Sequence, residues 1–381
     1  MKILVLASWF RPGAGGAFVH LSEIYKRLPH RIVVAGDRQP GDETGDAALE
    51  WKTIRIPAGP GRSLGKLGTA ASLWRDYRRV REIADAEKPD LIHAGHYLPW
   101  GLYASWLERS RGTPYALFAW GEDVLAARQD RLRRAALRRA AGGARWLFTN
   151  SEFTSELLRA AGAPAERIHT VWGGVDLTRF HPEAGGEALR RRLGLENALV
   201  LLSVGALRPQ QGVDRLLESV ARLAPRFPAL HYVVAGKGSY QDILRRRADE
   251  LGLAGRVRFA GYVPDAELPA YYDACDVFSL LHRRVEETGE EMCFGLVFLE
   301  AGACGKPVVG SRVGGIHYAI RDNVTGYLVD PGAPAAADEA LARLLADADL
   351  RRRLGGQARS WIEATFSWDR AAQLVRRAHG W

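Results

Sequence analysis

The chain has 381 residues, of which 47% are hydrophobic and 25% are charged. This length suits two domains with separate cores, and the composition excludes a disordered, collagen-like or disulfide-stapled chain. The formal net charge of +9 comes mainly from arginine and favours an acidic partner, either an anionic membrane surface or a nucleic acid.

The first half alternates short apolar runs with helix-like stretches, which predicts βαβ units and a parallel sheet. The opening run, "KILVLAS", is interpreted as a strand because Arg11 and a glycine cluster follow it without a cleavage-like site. The predicted strands of this half are residues 2–8, 31–36, 90–94, 115–120, 145–150 and 169–174.

A glycine-rich turn follows the first predicted strand. Gly13, Gly15 and Gly16 lie in "RPGAGGAFVHLSE", before a helix whose free amides can bind a phosphate or another polar ligand. The turn only loosely matches a dinucleotide fingerprint, because its spacing is G-x-G-G and only Asp37 supplies an acidic residue at the second strand. A nicotinamide dehydrogenase is therefore the last of the alternatives.

Two arginine-rich segments carry much of the positive charge: "WRDYRRVRE" (74–82) and "RQDRLRRAALRRAA" (128–141). Solvated helix faces explain both segments, and so does contact with an anionic partner. Trp74 and Tyr77 beside arginines suit a membrane interface, whereas the sequence has no zinc finger or aromatic RNA-binding strand. Peripheral contact with an anionic membrane is therefore preferred, and no nucleic-acid partner is expected.

The alternation begins again in the second half. A proline and two glycines separate the two series, which predicts a first domain of residues 1–182 and a second of residues 183–366. The C-terminal helix, about 367–381, is predicted to pack back on the first domain. The predicted strands of the second half are residues 198–205, 231–236, 256–261, 276–281, 307–312 and 326–330. The fold class is thus α/β, with two Rossmann-like, doubly wound domains whose parallel sheets face a cleft.

Cys275, Cys293 and Cys304 are odd in number and lack metal-ligand spacing, so reduced and buried thiols are expected. His93 and His96 follow a strand, which makes a metal site there improbable. The longest apolar run, 198–207, is about half of the roughly 20 residues that a membrane-spanning helix needs. The expected location is the cytoplasm, with contact at the inner membrane face.

The segment "GEEMCFGLVFLE" (289–300) places Glu300 within an apolar helix. An unpaired ionised carboxylate there would be costly, so Glu300 should have a partner, either a ligand hydroxyl or an internal Arg or Lys. Phe294 and Gly295 form the loop before this helix, whose first amides can hold an anion. A second candidate loop, in 203–219, joins a strand to a helix that starts near Gly212.

The ordered set of such segments resembles the retaining, nucleotide-sugar-dependent glycosyltransferases of family four, which have the GT-B fold. The resemblance covers most of the chain. The segments that carry it are "GGAFVHLSEIYKRL", "NSEFTSELL", "GGVDLTRFHP", "VGALRPQQGVDRLLE", "GRVRFAGYVPDAELPAYYDACDVFSLL", "FGLVFLEAGACGKPVV" and "VGGI".

The resemblance implies a nucleotide-diphosphate sugar as donor, with UDP- and GDP-sugars preferred, and no metal or other cofactor. Glu300 would bind the ribose hydroxyls, and the base would lie near Tyr262 and Val263. Amides would neutralise the leaving diphosphate. The amides expected to face the sugar and diphosphate are those of Phe294, Gly295 and Leu296, and the loop expected to close on them contains Gly15 and Gly16.

Several positions depart from the family pattern. Ala206 and Gln211 replace the usual Arg and Lys on the diphosphate, and Met292 replaces a usual Glu, for which Glu291 is the nearby substitute. Arg208 and Lys237 are the cations nearest to the loops. The predicted donor-binding set therefore also contains Gly205, Arg208, Gln211, Lys237 and Met292.

The acceptor, a hydroxyl on a lipid, a glycan precursor or a small molecule, is assigned to loops of the first domain. Trp120 replaces a common His, and Tyr318 replaces a frequent Glu. His96 or Asp123 is expected to orient the acceptor hydroxyl. The expected lining residues are Trp9, Phe10, His96, Tyr97, Trp100, Trp120, Glu122 and Asp123. The predicted catalytic set is Glu300, Glu291, Trp120, Asp123 and His96.

The resemblance implies transfer with retention, in which the departing phosphate oxygen helps to deprotonate the acceptor hydroxyl. Domain closure would exclude water from the donor. The runner-up function is a catalytically silent subunit that binds a nucleotide or a partner enzyme, suggested by Ala206, Gln211 and Met292. A sugar-nucleotide epimerase or a phosphorylase is a more distant alternative, and the oligomeric state is left open.

Overall fold

The structure is a computed structural model that describes residues 1–8, 10, 15–38, 42–47, 49–57, 66–286 and 289–381. Trp9 and Gly13, named above, lie outside the described residues. The chain divides into two compact units, one formed by residues 1–172 and 369–381 and the other by residues 173–368.

The first unit alternates strands and helices. Its strands are β1 (Lys2–Leu6), β2 (Arg31–Asp37), β3 (Lys52–Ile56), β4 (Leu91–Ala94), β5 (Tyr115–Ala119), β6 (Trp146–Thr149) and β7 (Ile168–Thr170). Its helices are α1 (Gly16–Tyr25), α2 (Asp42–Ala47), α3 (Lys66–Glu87), α4 (Leu102–Arg111), α5 (Glu122–Arg128), α6 (Arg131–Gly143) and α7 (Glu152–Ala160).

The second unit repeats this alternation. Its helices are α8 (Gly186–Leu193), α9 (Val213–Leu223), α10 (Gln241–Glu250), α11 (Leu268–Ala274), α12 (Leu296–Ala303), α13 (Pro334–Ala346) and α14 (Ala348–Thr365), and α15 (Trp368–His379) ends the chain. Its strands are β8 (Leu199–Val204), β9 (Leu230–Ala235), β10 (Val257–Gly261), β11 (Val277–Leu280), β12 (Val308–Ser311) and β13 (Gly326–Val329).

The described part of the first unit contains one parallel sheet in the order β3-β2-β1-β4-β5-β6-β7. Its central strands are buried apolar runs, as expected when helices cover both faces of a sheet. The predicted strands match six of the seven, although β7 covers only three residues. The edge strand β3, "KTIRI", was not predicted because its polar residues and partial exposure weaken the strand signal.

The sheet of the second unit runs in the order β10-β9-β8-β11-β12-β13, and every described pairing in it is parallel. All six of its strands lie where the sequence predicts them. The strand order reverses at β8, which pairs with β9 on one side and β11 on the other. Ligands of doubly wound sheets bind at such a switch point, beyond the carboxyl ends of the strands.

The two units divide after residue 172, ten residues before the predicted boundary. Residues 173–182 belong to the second unit because their backbone and side chains pack there. The Val175 amide donates to the Phe366 carbonyl at 3.0 Å, and the Phe180 ring lies 5.8 Å from that of Tyr272. The end of α15 packs on the first unit, where Trp146 Nε1 donates to the Ala378 carbonyl at 2.7 Å.

The three cysteines are buried and unbridged, as predicted. Across the described ranges, no helix combines the length and the apolar character needed to cross a bilayer. The same residues contain no group of three or more His, Cys, Asp or Glu side chains arranged to hold a metal ion.

The turn between β8 and α9 packs closely on the end of β11 at Gly212, and a substitution there tests this contact. Its φ is +71°, and a Cβ there would lie 1.8 Å from the Leu281 carbonyl oxygen. Gly194 has a φ of +65° with nothing within 4 Å of its Cβ position, so Gly194→Ala isolates the backbone strain of roughly 1–2 kcal/mol. We expect Gly212→Ala to lower the melting temperature at least twice as much as Gly194→Ala. Equal losses in a thermal unfolding scan would contradict this close packing.

Candidate active site

Glu300 lies in α12, and a tyrosine supplies its partner. The Tyr272 hydroxyl, from α11, donates to Glu300 Oε2 at 2.6 Å. The alternative to a ligand hydroxyl, an internal Arg or Lys, forms no hydrogen bond or ion pair with this carboxylate in the described ranges. Burial raises the pKa of Glu300, while the Tyr272 hydrogen bond and the charge of Arg179 oppose that rise. Within the described chain, Oε1 of Glu300 accepts no hydrogen bond, so this oxygen is available to a ligand.

The N-terminus of α12 presents two free amides beside this carboxylate. Gly295 precedes the helix with a φ of +129°, which requires glycine. The backbone N–H groups of Gly295 and Leu296 donate to no other described residue. The Gly315 amide donates to the Met292 carbonyl at 3.0 Å, so the turn after β12 supports the loop before the helix. Amides of this kind bind anions.

The loops after β8 and β9 meet through glycines. A Cβ at Gly236 would lie 1.8 Å from the Gly205 carbonyl oxygen, and one at Gly238 would lie 2.1 Å from the Leu207 carbonyl oxygen. The Leu207 amide donates to the Lys237 carbonyl at 3.0 Å. The backbones of these two loops can approach this closely only where no side chain intervenes.

The predicted cations of the donor site lie on these loops. Arg208 and Lys237 are both exposed, and neither forms an ion pair with another residue in the described ranges. A Cβ at Gly261, the last residue of β10, would lie 3.7 Å from Lys237 Cε. Tyr262 follows directly and is 58% exposed, whereas Val263 is buried.

Gln211 ends the turn after β8 and lies against a buried histidine that sequence reasoning missed. His282 Nε2 lies 2.9 Å from Gln211 Oε1, and His282 is completely buried at the end of β11. Burial lowers the pKa of His282 to about 3, so its ring is neutral. A polar residue directly after the apolar run 276–281 is the signal that could have identified it.

The loop before α12 holds the acidic residues of the candidate site. Gln210 Nε2 donates to Glu290 Oε2 at 3.0 Å, which links this loop to the turn after β8. Glu291 and Met292 are both part-buried. The predicted replacement of the usual Glu by Glu291 stays a prediction.

In the first unit, Trp120 links the loops after β4 and β5. Its indole Nε1 donates to the Gly95 carbonyl at 2.6 Å, next to His96. The Trp120 ring lies 6.1 Å from Phe118 in a stacked arrangement and 5.2 Å from His20 of α1, edge to face. Burial lowers the pKa of His20 to about 3. The structure thus brings Trp120 against His20 and against the Gly95 backbone, one residue before His96.

Asp123 lies in the first turn of α5 and is fixed by three backbone amides. Its Oδ1 accepts from the amides of Trp120, Gly121 and Val124 at 3.0, 3.1 and 2.9 Å. Its Oδ2 is buried and finds no hydrogen-bond partner among the described residues. Burial raises the pKa of Asp123 to about 6, and the amides only partly offset this effect. The carboxylate therefore carries an unfilled acceptor position.

The remaining residues of the predicted acceptor lining are mostly core residues. Phe10, Tyr97 and Trp100 are buried, and Trp100 Nε1 donates to Ser8 Oγ at 2.7 Å. Glu122 is exposed. Gly15 has a φ of +98° and nothing within 4 Å of its Cβ position, and Gly16 begins α1.

Comparison with known families identifies the family to which this chain belongs. Residues 14–179 match the family described as Glycosyltransferase Family 4, and residues 186–361 match the one described as Glycosyl transferases group 1. A D-inositol 3-phosphate glycosyltransferase from Streptomyces bingchenggensis is 32% identical over 94% of this chain and 83% of its own. The chain belongs to the family-four glycosyltransferases.

Two further relatives of this glycosyltransferase cover nearly its whole length. A GDP-mannose-dependent alpha-(1-6)-phosphatidylinositol monomannoside mannosyltransferase from Mycobacterium tuberculosis is 29% identical over 97% of this chain and 96% of its own. The crystal structure of Anabaena HepE in complex with UDP and glucose superimposes with a TM-score of 0.83 at 23% identity, over 100% of this chain and 99% of that one.

These comparisons confirm the predicted fold class, two Rossmann-like domains of the GT-B type. The family matches also confirm the predicted activity class, a glycosyltransferase. The roles assigned to individual residues, and the retaining course of the reaction, stay predictions.

Asp123 gives a pH-dependent test of the first unit. A carboxylate whose pKa rises from 3.8 to about 6 on folding destabilises the folded state increasingly between these two pH values, and fully above about pH 6. An asparagine side chain in its place would keep an oxygen for the three amides without the charge. We expect Asp123→Asn to raise the free energy of unfolding above pH 6 by about 1–2 kcal/mol, and by little near pH 4.

Urea unfolding at both pH values measures this difference. The matched control is Asp130→Asn, at an exposed carboxylate that caps α6 by accepting from the Arg133 amide at 2.8 Å. The control should not become more stable above pH 6. A loss of stability in Asp123→Asn at both pH values would contradict the unfilled carboxylate described above.

Proposed function

We propose that this glycosyltransferase is a retaining hexosyltransferase that needs no metal ion and takes a UDP- or GDP-sugar as its donor. The observation that carries the proposal is the combination in α12 of a part-buried carboxylate, Glu300, with the free amides of Gly295 and Leu296. A nucleotide-diphosphate sugar offers hydroxyls to the Glu300 carboxylate and phosphate oxygens to the two amides.

Glu300 would accept hydrogen bonds from the ribose hydroxyls. Tyr272 occupies Oε2 and leaves Oε1 to the ligand, so the carboxylate is oriented before the donor binds. Tyr262, exposed at the end of β10, offers an aromatic face to the base.

The amides of α12 would stabilise the diphosphate as it leaves. Charge develops on the phosphate oxygen when the glycosidic bond breaks, and oriented amides lower the energy of that state without reorganisation. The same oxygen would take the proton of the acceptor hydroxyl on the face from which it departs, which retains the anomeric configuration. Arg208 and Lys237 are the free cations closest in sequence to the Gly205 and Gly236 turns, and would add charge-assisted contacts.

The acceptor would bind the first unit at the loops after β4 and β5. Asp123 Oδ2 is buried with an unfilled acceptor position, so a hydroxyl donor would satisfy it. Trp120 presents an anchored indole on which the apolar face of a sugar can stack. Two relatives of the chain are named for inositol-containing acceptors, which supports a polyhydroxylated acceptor here.

Titration of the purified protein tests this proposal. We expect UDP or GDP to bind in calorimetry without added metal, and magnesium to change the affinity little. Glu300→Gln should keep the Tyr272 hydrogen bond but weaken binding of the ribonucleotide at least about tenfold, since hydrogen bonds to a charged group contribute roughly 1.5–3 kcal/mol. The 2′,3′-dideoxy analogue, which lacks both ribose hydroxyls, should bind wild type and Glu300→Gln nearly equally.

The comparison of the two sugars is the internal control. An equal loss for ribose and dideoxyribose nucleotides in Glu300→Gln would place Glu300 outside the ribose contact. No binding of any nucleotide by the wild-type protein would favour the silent-subunit function, which the neutral Ala206 and Gln211 at the diphosphate positions suggest.

A lipid-linked acceptor would bring the first unit to an anionic membrane. Helix α6 carries Arg131, Arg134 and Arg138, which recur every three or four residues and share one face, and none of them pairs with a described carboxylate. The exposed Leu132, at 66%, adjoins them. On α3, Trp74 is 57% exposed, but Tyr77 is buried, so its predicted interfacial role is wrong.

We propose that Trp74 and the α6 arginines belong to one membrane-binding surface. The support is that helix α3 packs on α4 and α4 packs on α6. Unpaired arginines with neighbouring exposed apolar side chains fit the headgroup region of an anionic bilayer.

We expect the protein to sediment with vesicles of phosphatidylcholine and phosphatidylglycerol but not with phosphatidylcholine alone. Arg131→Glu with Arg138→Glu should weaken this binding at least about tenfold, because each basic residue near the surface contributes roughly 1 kcal/mol. The control, Arg352→Glu with Arg353→Glu on α14, changes the net charge equally. If the control loses as much binding, the effect belongs to net charge and not to α6.

A further inference from the structure

Four histidines gather where the end of α15 packs on the rest of the first unit. This histidine cluster consists of His30, His93, His169 and His379. We propose that the cluster is a pH-sensitive latch, which holds the end of α15 in place while the imidazoles are neutral and releases it when they are protonated. Such a latch acts on the fold of the first unit and needs neither donor nor acceptor.

Aromatic rings form the body of the latch. The His379 ring stacks on His93 of β4, with 5.2 Å between ring centres, and on Trp381, with 4.3 Å. Trp146 of β6 meets the His379 ring edge to face at 4.3 Å. Trp381 meets His30, directly before β2, edge to face at 4.3 Å. The end of the chain is therefore packed through rings against three separate parts of the first unit.

The nitrogens of the stacked rings have few hydrogen-bond acceptors. Both ring nitrogens of His379 are buried and find no partner among the described residues, and the same holds for Nε2 of His93. His93 Nδ1 lies 3.0 Å from the Tyr25 hydroxyl. An imidazole carries one N–H when neutral and two when protonated. Protonation of His379 would bury a charge and a second N–H without an acceptor, and both are costly.

Burial keeps the two stacked histidines neutral. It lowers the pKa of His379 to about 3, and the charges of His169 and His30 lower it further. Burial also lowers the pKa of His93 well below its ordinary value. The Tyr25 hydroxyl that faces His93 stays neutral as well, because burial raises its pKa. The four histidines thus act together, since a charge on one disfavours a charge on its neighbours.

The other charges around the cluster also oppose protonation. Besides burial, the positive charge of Arg145 lowers the pKa of His379. Burial lowers the pKa of His30, and so do the Met1 amino group and Arg376, while the backbone of the preceding residue opposes them. In the part of the chain that the structure describes, no carboxylate forms an ion pair with a histidine of the cluster. A protonated ring therefore meets repulsion and no described counter-ion.

The direction of the pH dependence follows from these shifts. The ordinary pKa of 6.5 applies to His379 in water, whereas the packed ring has a pKa of about 3. The packed form is therefore fully favoured above about pH 6.5 and is weakened as the pH falls below this value. His379 alone shifts the equilibrium about tenfold per pH unit, or about 30-fold at pH 5. His93 adds to this shift when the helix end departs and uncovers it.

The start of α15 is anchored without the cluster. Arg27 Nε donates to Asp369 at 3.0 Å, and the helix continues directly from the second unit, which ends at residue 368. Protonation of the cluster therefore acts on residues 376–381 and not on the first turn. There the amides of Gly380 and Trp381 donate to carbonyls of the last turn at 3.1 and 2.9 Å, and these amides report on the latch.

Hydrogen–deuterium exchange of the whole chain at pH 7.5 and pH 5, corrected for the intrinsic exchange rate, tests the proposal. We expect the amides of residues 376–381 to lose at least about 30-fold of their protection at pH 5, because protection follows the opening equilibrium. The amides of α14 should keep theirs. His379→Phe keeps a ring that cannot be protonated, so its loss should be at least about tenfold smaller. His93→Phe with His379→Phe should show no loss.

The matched control is His231→Phe on β9 of the second unit, which should behave as wild type. His379→Gln, neutral at both pH values, tests the latch even if phenylalanine disturbs the stack, and its loss should be as small as that of His379→Phe. Equal protection of residues 376–381 at both pH values in the wild type would overturn the proposal. A loss at pH 5 that persists in the double variant, or that extends equally to α14, would also overturn it, since groups outside the cluster would then be responsible.

Discussion

The second unit depends on backbone segments that approach each other more closely than any side chain permits. Gly236 meets the Gly205 carbonyl, Gly212 meets the Leu281 carbonyl, and Gly315 meets the Cys293 carbonyl. At each contact a Cβ would lie within 2 Å of a carbonyl oxygen. These contacts join the loops at the carboxyl ends of the strands, which is why free amides, a part-buried carboxylate and a buried histidine lie at one end of the sheet.

The electrostatics of this end are unusual for a site proposed to hold a diphosphate. Two of the inner side chains carry no positive charge: Glu300 is paired with a tyrosine, and Gln211 is paired with an uncharged imidazole. In the proposed donor site, oriented amides would supply much of the stabilisation, since such dipoles are effective where water is excluded. Exposed cations on the loops can add to this stabilisation, but they are screened by solvent and salt.

In the first unit, buried acceptor groups and exposed positive charges lie in different places. Its inner residues, such as Asp123, are buried acceptors with unfilled capacity, while its outer helix α6 carries arginines that no described carboxylate neutralises. A polyhydroxylated acceptor suits the former, and an anionic surface suits the latter. Both features are the basis of the proposed acceptor, a sugar-like headgroup at a negatively charged membrane.

Much of the fold was accessible from the sequence. All strands of the second sheet were predicted. Buried parallel strands are continuous apolar runs, and these runs are easy to recognise because they alternate with helices. The edge strand β3 was missed because an edge strand needs neither a continuous apolar run nor full burial. The boundary was placed ten residues late, since Val175 and Phe180 reveal their unit only through contacts with Phe366 and Tyr272.

The sequence by itself determined the fold class, the family and the position of Glu300 in an apolar helix, because these depend on local pattern and on the order of motifs. Only the tertiary structure decided which groups face one another. It paired Glu300 with Tyr272, 28 residues away, and Gln211 with His282, 71 residues away. Such pairs depend on how helices and strands pack, and a hydroxyl or an imidazole leaves no sequence signal of the partner it will meet.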